Sequence, residues 1–209
     1  MITRSRPRWQ RWGVLAALLA ALSGCAVASP VDITKDAANT DVRVVAKIDV
    51  QATQVRISYR VENTLGEALW AASAPPALAS DPAHPTVSAV PDGSRDGVAL
   101  ALIFFPVRQD LQYVQAPATG VAEVAPHATS EGTLIVARPF VPFSDLDGDK
   151  AVSLPSPPKT VRLCVGYVPA SVLPANVRPQ NTSGGAPTLA RSVAFPLQRI
   201  ACSDPTPLG

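Results

Sequence analysis

Residues 42 to 62 hold two runs in which apolar and polar side chains alternate with a period of two. Val42, Val44, Ala46, Ile48 and Val50 alternate with Arg43, Val45, Lys47 and Asp49. After a short gap, Val55, Ile57, Tyr59 and Val61 alternate with Arg56, Ser58, Arg60 and Glu62. A period of two sends successive side chains to opposite faces, so each run reads as a half-buried strand. A turn centred on Ala52-Thr53 that pairs Gln51 with Gln54 fixes a register. Val50 then faces Val55, Ile48 faces Ile57, Ala46 faces Tyr59 and Val44 faces Val61. The same register sets Asp49 against Arg56 and Arg43 against Glu62 on the polar face, so one alignment satisfies both faces. Ala-Thr lacks the residues of a tight primed turn, which leaves a longer loop between strands of two sheets as the alternative.

The rest of the chain reads in the same class. Prolines (22 in 209 residues) punctuate short Val- and Ile-rich runs, and long amphipathic helices are hard to find. Glu67 to Ala71 reads as a short strand, its Trp70 a core residue or else a binding aromatic, and Thr86 to Val90 reads as another. Gly97 to Phe105 is apolar on both faces and suits a central strand covered on both sides. Further strands are expected between Leu111 and Gln115, over Glu131 to Arg138 and over Thr160 to Val168. The last, Arg191 to Ile200, holds Pro196 and is therefore expected at an edge. Long proline-rich loops fall at 75–96 and 169–190. Seven to nine short strands in about 160 residues predict an all-β chain, a single β-sandwich over residues 41–202 with a tail at 203–209. The stretch Tyr59-Arg60-Val61-Glu62-Asn63, ending a strand at a turn, resembles bacterial immunoglobulin-like modules, and the resemblance implies an immunoglobulin-like topology.

The N-terminal segment is of another kind. Arg4, Arg6, Arg8 and Arg11 precede Gly13 to Leu22, an apolar run of ten residues. That is the layout of a secretory signal peptide, and the run is well short of the ~20 residues of a spanning helix. At its end, Leu22-Ser23-Gly24-Cys25 resembles the lipobox of bacterial lipoproteins. The resemblance implies cleavage after residue 24 and acylation of Cys25 by two or three chains, which is firm anchoring where one chain is marginal. Ala26, in place of Asp, implies sorting to the outer membrane. Residues 1–24 are then a signal peptide, and 25–40, small and polar with Pro30, a flexible tether.

Without its leader the chain carries 14 basic residues against 16 acidic ones, a balance of −2. Nothing in it suggests a nucleic-acid face. Cys164 and Cys202 remain once Cys25 is lipidated. In an oxidising envelope they most simply form a disulfide, free buried thiols being the alternative. Cys164 lies on the face opposite Val161, Leu163, Val165 and Tyr167, so a bridge would staple the C-terminal end to the outer face of that strand. Such a loop is worth roughly 3 to 4 kcal/mol in the chain-entropy account.

Few residues suggest chemistry. Asp145, Asp147 and Asp149 fall at the first, third and fifth positions of an EF-hand-like calcium loop, and Val152 at the eighth. Lys150 stands where that loop needs glycine and Ser156 where it needs a bidentate glutamate. Prolines 139, 142, 155, 157 and 158 exclude the flanking helices. A non-EF calcium loop and a solvated acidic turn are the two readings. His84 and His127 sit beside prolines in loops, no G-x-S-x-G occurs, and no P-loop or dinucleotide fingerprint is present. The expectation is a membrane-anchored lipoprotein, non-catalytic and without cofactor. It would present its β-sandwich to an envelope protein partner through an edge strand or a long loop, facing the periplasm from the outer membrane. The alternatives are a calcium- or ligand-binding lipoprotein and an envelope hydrolase.

Overall fold

A computed structural model describes residues 32–34, 40–73, 87–107, 112–113, 117–143, 152–181 and 186–209. The strands are β1 (Val42–Val50), β2 (Gln54–Asn63), β3 (Leu69–Ala72), β4 (Ser88–Pro91), β5 (Gly97–Leu102), β6 (Ala118–Val124), β7 (Thr129–Ala137) and β8 (Thr160–Pro169). A 3-10 turn (Ala170–Val172) follows, then β9 (Gln180–Asn181), β10 (Pro187–Ala190), helix α1 (Arg191–Leu197), β11 (Arg199–Cys202) and β12 (Thr206–Pro207).

They form two packed sheets, an all-β sandwich. The small sheet has the order β1-β2-β7. The large one has the order β4-β5-β8-β3-β6-β10-β9, with β11 and β12 also pairing β8. Among the described residues all strand pairs are antiparallel except β5 with β8, and an isolated bridge between Ala89 and Pro142 is parallel. An immunoglobulin-like constant domain divides its strands four and three, all antiparallel. Among the described residues the division is three and nine, because β8 is flanked along its length by four strands, β5 and β3 with β11 and β12. Val165 lies between Leu102 and Ala201, and Tyr167 between Ala71 and Arg199.

The β1–β2 hairpin has the register that the alternation predicts, from Val50 opposite Val55 to Arg43 opposite Glu62. Arg43 pairs with Glu62 at 3.8 Å and Arg60 joins the same carboxylate at 3.0 Å. Asp49 lies opposite Arg56, but its carboxylate accepts instead from Gln51 Nε2 (2.9 Å). The turn is the tight one. Gln51 N donates to Gln54 O (2.9 Å), and Gln54 Nε2 donates to Gln51 Oε1 (2.8 Å). Neither Ala52 nor Thr53 has positive φ. The turn is therefore not of the primed kind and needs no glycine.

The principal core lies between the sheets. Val44, Val55, Ile57, Val61 and Leu134 of the small sheet meet Leu100, Leu102, Leu163, Val165 and Tyr167 of the large one. Tyr59 points inward from β2, and its ring crosses Gly132 on β7 so closely that a Cβ there would overlap it. The far face of the large sheet is a second core and not solvent. Ala99, Ala101, Ile103, Phe105 and Cys164 are buried there with Ile33 and Ile200. Phe105 stacks on Phe143 at 4.3 Å between centroids. β5 is accordingly buried on both faces, as its two-sided apolar pattern requires.

Several expectations are corrected. Residues 191–197 are helix, not strand, with Pro196 inside it. β10 pairs β6 while β11 pairs β8, so the chain between them must leave the sheet. Residues 203–209 are no free tail. Ser203 and Leu208 are buried and β12 pairs Val161 and Thr160. Of the strand expected between Leu111 and Gln115 only Gln112 and Tyr113 are described, neither of them in a strand, and the sixth strand runs over Ala118–Val124. Its Thr119, Gly120 and Ala122 gave too weak an apolar alternation to mark it. Ile33, within the stretch read as tether, is buried at 2 % exposure.

Candidate functional site

The outer face of the small sheet is polar and built in rows. Arg43, Glu62 and Thr129 form one; Val45, Arg60 and Glu131 the next; Lys47, Ser58 and Thr133 the third; Asp49, Arg56 and Ile135 the last. A shallow, open depression lies across the middle rows, lined by Lys47, Ser58, Arg60, Glu131 and Thr133, with Tyr59 and Gly132 behind it. Burial raises the Tyr59 phenol above its usual value near 10. Charges of both signs interleave on this face, so it has neither the field of an anion site nor that of a cation site.

The two edges of this sheet differ. In an antiparallel pair, alternate residues turn their backbone groups toward the partner strand. Asn63 N donates to Ala128 O and Arg138 N to Thr53 O. Even-numbered residues of β7 therefore bond β2. Thr129, Glu131, Thr133, Ile135 and Ala137 turn their N–H and C=O outward, and among the described residues no strand meets them. Ile135 is 40 % exposed on this edge. β1 carries Arg43, Lys47 and Asp49, and charged side chains defend an edge against pairing. β7 carries one charged residue, Glu131.

Cys164 and Cys202 sit directly opposite each other on β8 and β11, their sulphurs bonded, with Cα atoms 4.0 Å apart. The bridge is internal to the second core. Cys25 and Asp145, Asp147 and Asp149 lie outside the described residues, as does His84. Among the described residues no three His, Cys, Asp or Glu side chains gather as a metal site would need. His127 is exposed, at positive φ (55°), in the turn between β6 and β7.

Neither long loop is simply open. Within 169–190, Ser171 N and Oγ donate to the Glu67 carboxylate (2.8 and 2.9 Å), β9 pairs β10, and β10 pairs β6. Within 75–96, the Asp92–Asp96 loop is pinned. The Asp92 carboxylate accepts from Ser94 N and Oγ, and Arg162 donates to Asp92 O. The Asp92 side chain is 5 % exposed and stands 3.6 Å from Arg162 Nε.

Asn63 is a residue whose role its position alone hides. It is buried. Its Nδ2 donates to the carbonyls of Glu67 (2.8 Å), Val124 (3.1 Å) and Ala125 (3.0 Å), and its Oδ1 accepts from Leu65 N (3.0 Å). It ties the corner where the small sheet passes into the large one, and so sets the start of β7.

In comparisons of the chain with protein-family models, curated proteins and solved structures, nothing matches.

Proposed function

We propose that the protein is a lipid-anchored envelope protein whose β-sandwich serves as a non-catalytic interaction module. Its anchor is Cys25, in the outer membrane and facing the periplasm. The observation that carries the anchor is Leu22-Ser23-Gly24-Cys25 at the end of a ten-residue apolar run behind four arginines. Two or more acyl chains on one residue hold a soluble domain at a bilayer without a spanning segment. Among the described residues no helix is long and apolar enough to cross one.

The module reading is supported by the β7 edge. A partner segment in extended form would bond to the outward groups of residues 129–137, a strand-addition mode in which backbone bonds give affinity and flanking side chains give selectivity. Ile135 and Thr133 would flank such a strand on the outer face.

The test uses the tagged full chain in intact cells, cross-linked and purified, with bound proteins identified by mass spectrometry and Cys25 examined for acyl chains. The expected result is an acylated Cys25 and a stoichiometric envelope partner, lost in Cys25→Ser. An unacylated Cys25 sinks the anchor. A clean preparation with no partner sinks the module.

A further inference from the structure

A segment read from sequence as free tether is tied down at Ile33. Ile33 is 2 % exposed, in the second core with Ala99, Ala101 and Cys164. The chain is turned to place it there. Thr34 N and Thr34 Oγ1 both donate to Asp32 Oδ1 (2.9 and 2.6 Å), a local loop that points the intervening side chain one way. Thr34 then packs over Gly93, so closely that a Cβ on Gly93 would come within 2.5 Å of its Cγ2.

That contact gives residues 32–34 a definite address. Gly93 belongs to the Asp92–Asp96 loop, which stands at the start of β8. Lys159 N donates to Asp96 O (2.8 Å), Lys159 Nζ pairs with Asp96 at 2.8 Å, and Gly97 lies beside Thr160. The 3-10 turn Ala170–Val172 follows the other end of β8. Ten strand residues separate these ends by about 30 Å.

We propose that Ile33 is a clasp that shortens the lipid tether and keeps the Asp92–Asp96 end of the sandwich next to the bilayer, so that the end bearing Val172 faces away. This rests on the reading of Cys25 as the lipidated residue. Eight residue steps join Cys25 to Ile33, a reach of at most about 28 Å; fifteen join it to Thr40, about 52 Å. With Ile33 seated the tether is shorter than β8 is long, and the two ends are not equivalent toward the membrane. With Ile33 released the reach nearly doubles and either end can approach.

The test takes the acylated full chain in phospholipid vesicles carrying a headgroup-linked energy acceptor. Donor dyes are placed on Arg95→Cys in one sample and Val172→Cys in another. Both positions are exposed, and the native cysteines are acylated or bridged. Transfer is expected to be stronger from position 95. Ile33→Asp is expected to erase the difference. A six-residue Gly/Ser insertion after Ala28, which leaves Ile33 in place and the fold untouched, is expected to do the same. Equal transfer from the two positions in the parent overturns the proposal, and so does a difference that survives the insertion. Absence of acyl chains on Cys25 in the same sample overturns the anchor, not the clasp. The clasp is then read by hydrogen exchange. Faster exchange at Ala99 and Ala101 in Ile33→Asp supports it, and unchanged protection removes it.

Discussion

Asn63 shows what one side chain can fix. Its amide serves three carbonyls and one N–H at the corner between the sheets, and the bond to Val124 O is fully buried. Asn63→Ala leaves the buried Val124 carbonyl without this donor and is expected to cost about 1 to 3 kcal/mol in denaturant unfolding. Asn63→Asp is expected to cost at least as much, because a carboxylate oxygen would face the carbonyls. In the sequence Asn63 is legible only as a turn residue, since the converging carbonyls come from residues 61 and 62 positions away. Tyr59 and Gly132 are a second such pair. Gly132→Ala is expected to push the Tyr59 ring out of the core, with a loss of roughly 1 to 3 kcal/mol measured in the same way. The raised Tyr59 pKa also has a pH signature. The folded state holds the phenol protonated beyond the point where the unfolded chain releases its proton, near 10. Stability from this group is therefore full below pH 10 and is lost as the pH rises through the folded value. Tyr59→Phe is expected to flatten the alkaline limb of the stability profile; an unchanged slope would assign that limb to other groups.

At the scale of elements, strands with strict alternation were legible and irregular ones were not. β1 and β2 show their register because two apolar ladders and the charge pairing fit only together. β8 shows its faces for the same reason, and Cys164 does lie on the side opposite Tyr167. That side is covered, which alternation cannot reveal, because the cover comes from Ile33, Phe105 and Phe143, far away in sequence. α1 escaped because Val193, Phe195 and Leu197 also fit a period of two, and only the distance between β10 and β11 in the sheet rules a strand out. The β7 edge carries its own prediction. Residue 133 turns its N–H outward, so proline there removes no bond to β2. Thr133→Pro is expected to change unfolding stability by less than about 1 kcal/mol, yet to abolish partner capture, since an added strand would lose a donor and meet a ring. Capture equal to the parent would show that this edge is not used.

The whole molecule is a sandwich closed at its C-terminal end by one covalent bond. Cys164 and Cys202 join β8 to β11 across 38 residues. Replacing both by serine is expected to lower the unfolding free energy by about 3 to 4 kcal/mol under oxidising conditions and by nothing under full reduction. β12 and Leu208 extend the closure beyond the bridge, so the chain beyond Cys202 belongs to the fold and a truncation at Cys202 should share part of that loss. The site was less legible than the fold. The anchor proposed at Cys25 rests on four residues of sequence, whereas an edge strand becomes a candidate surface only once the sheet order is known.

The most direct measurement places a photoreactive amino acid at position 133 of the full chain in intact cells, with position 95 as the control at the Asp92–Asp96 loop. The expected result is one discrete envelope adduct from position 133, none of the same mass from position 95, and its disappearance in Cys25→Ser. No adduct from 133, or the same adduct from both positions, would contradict an anchored module that works through β7.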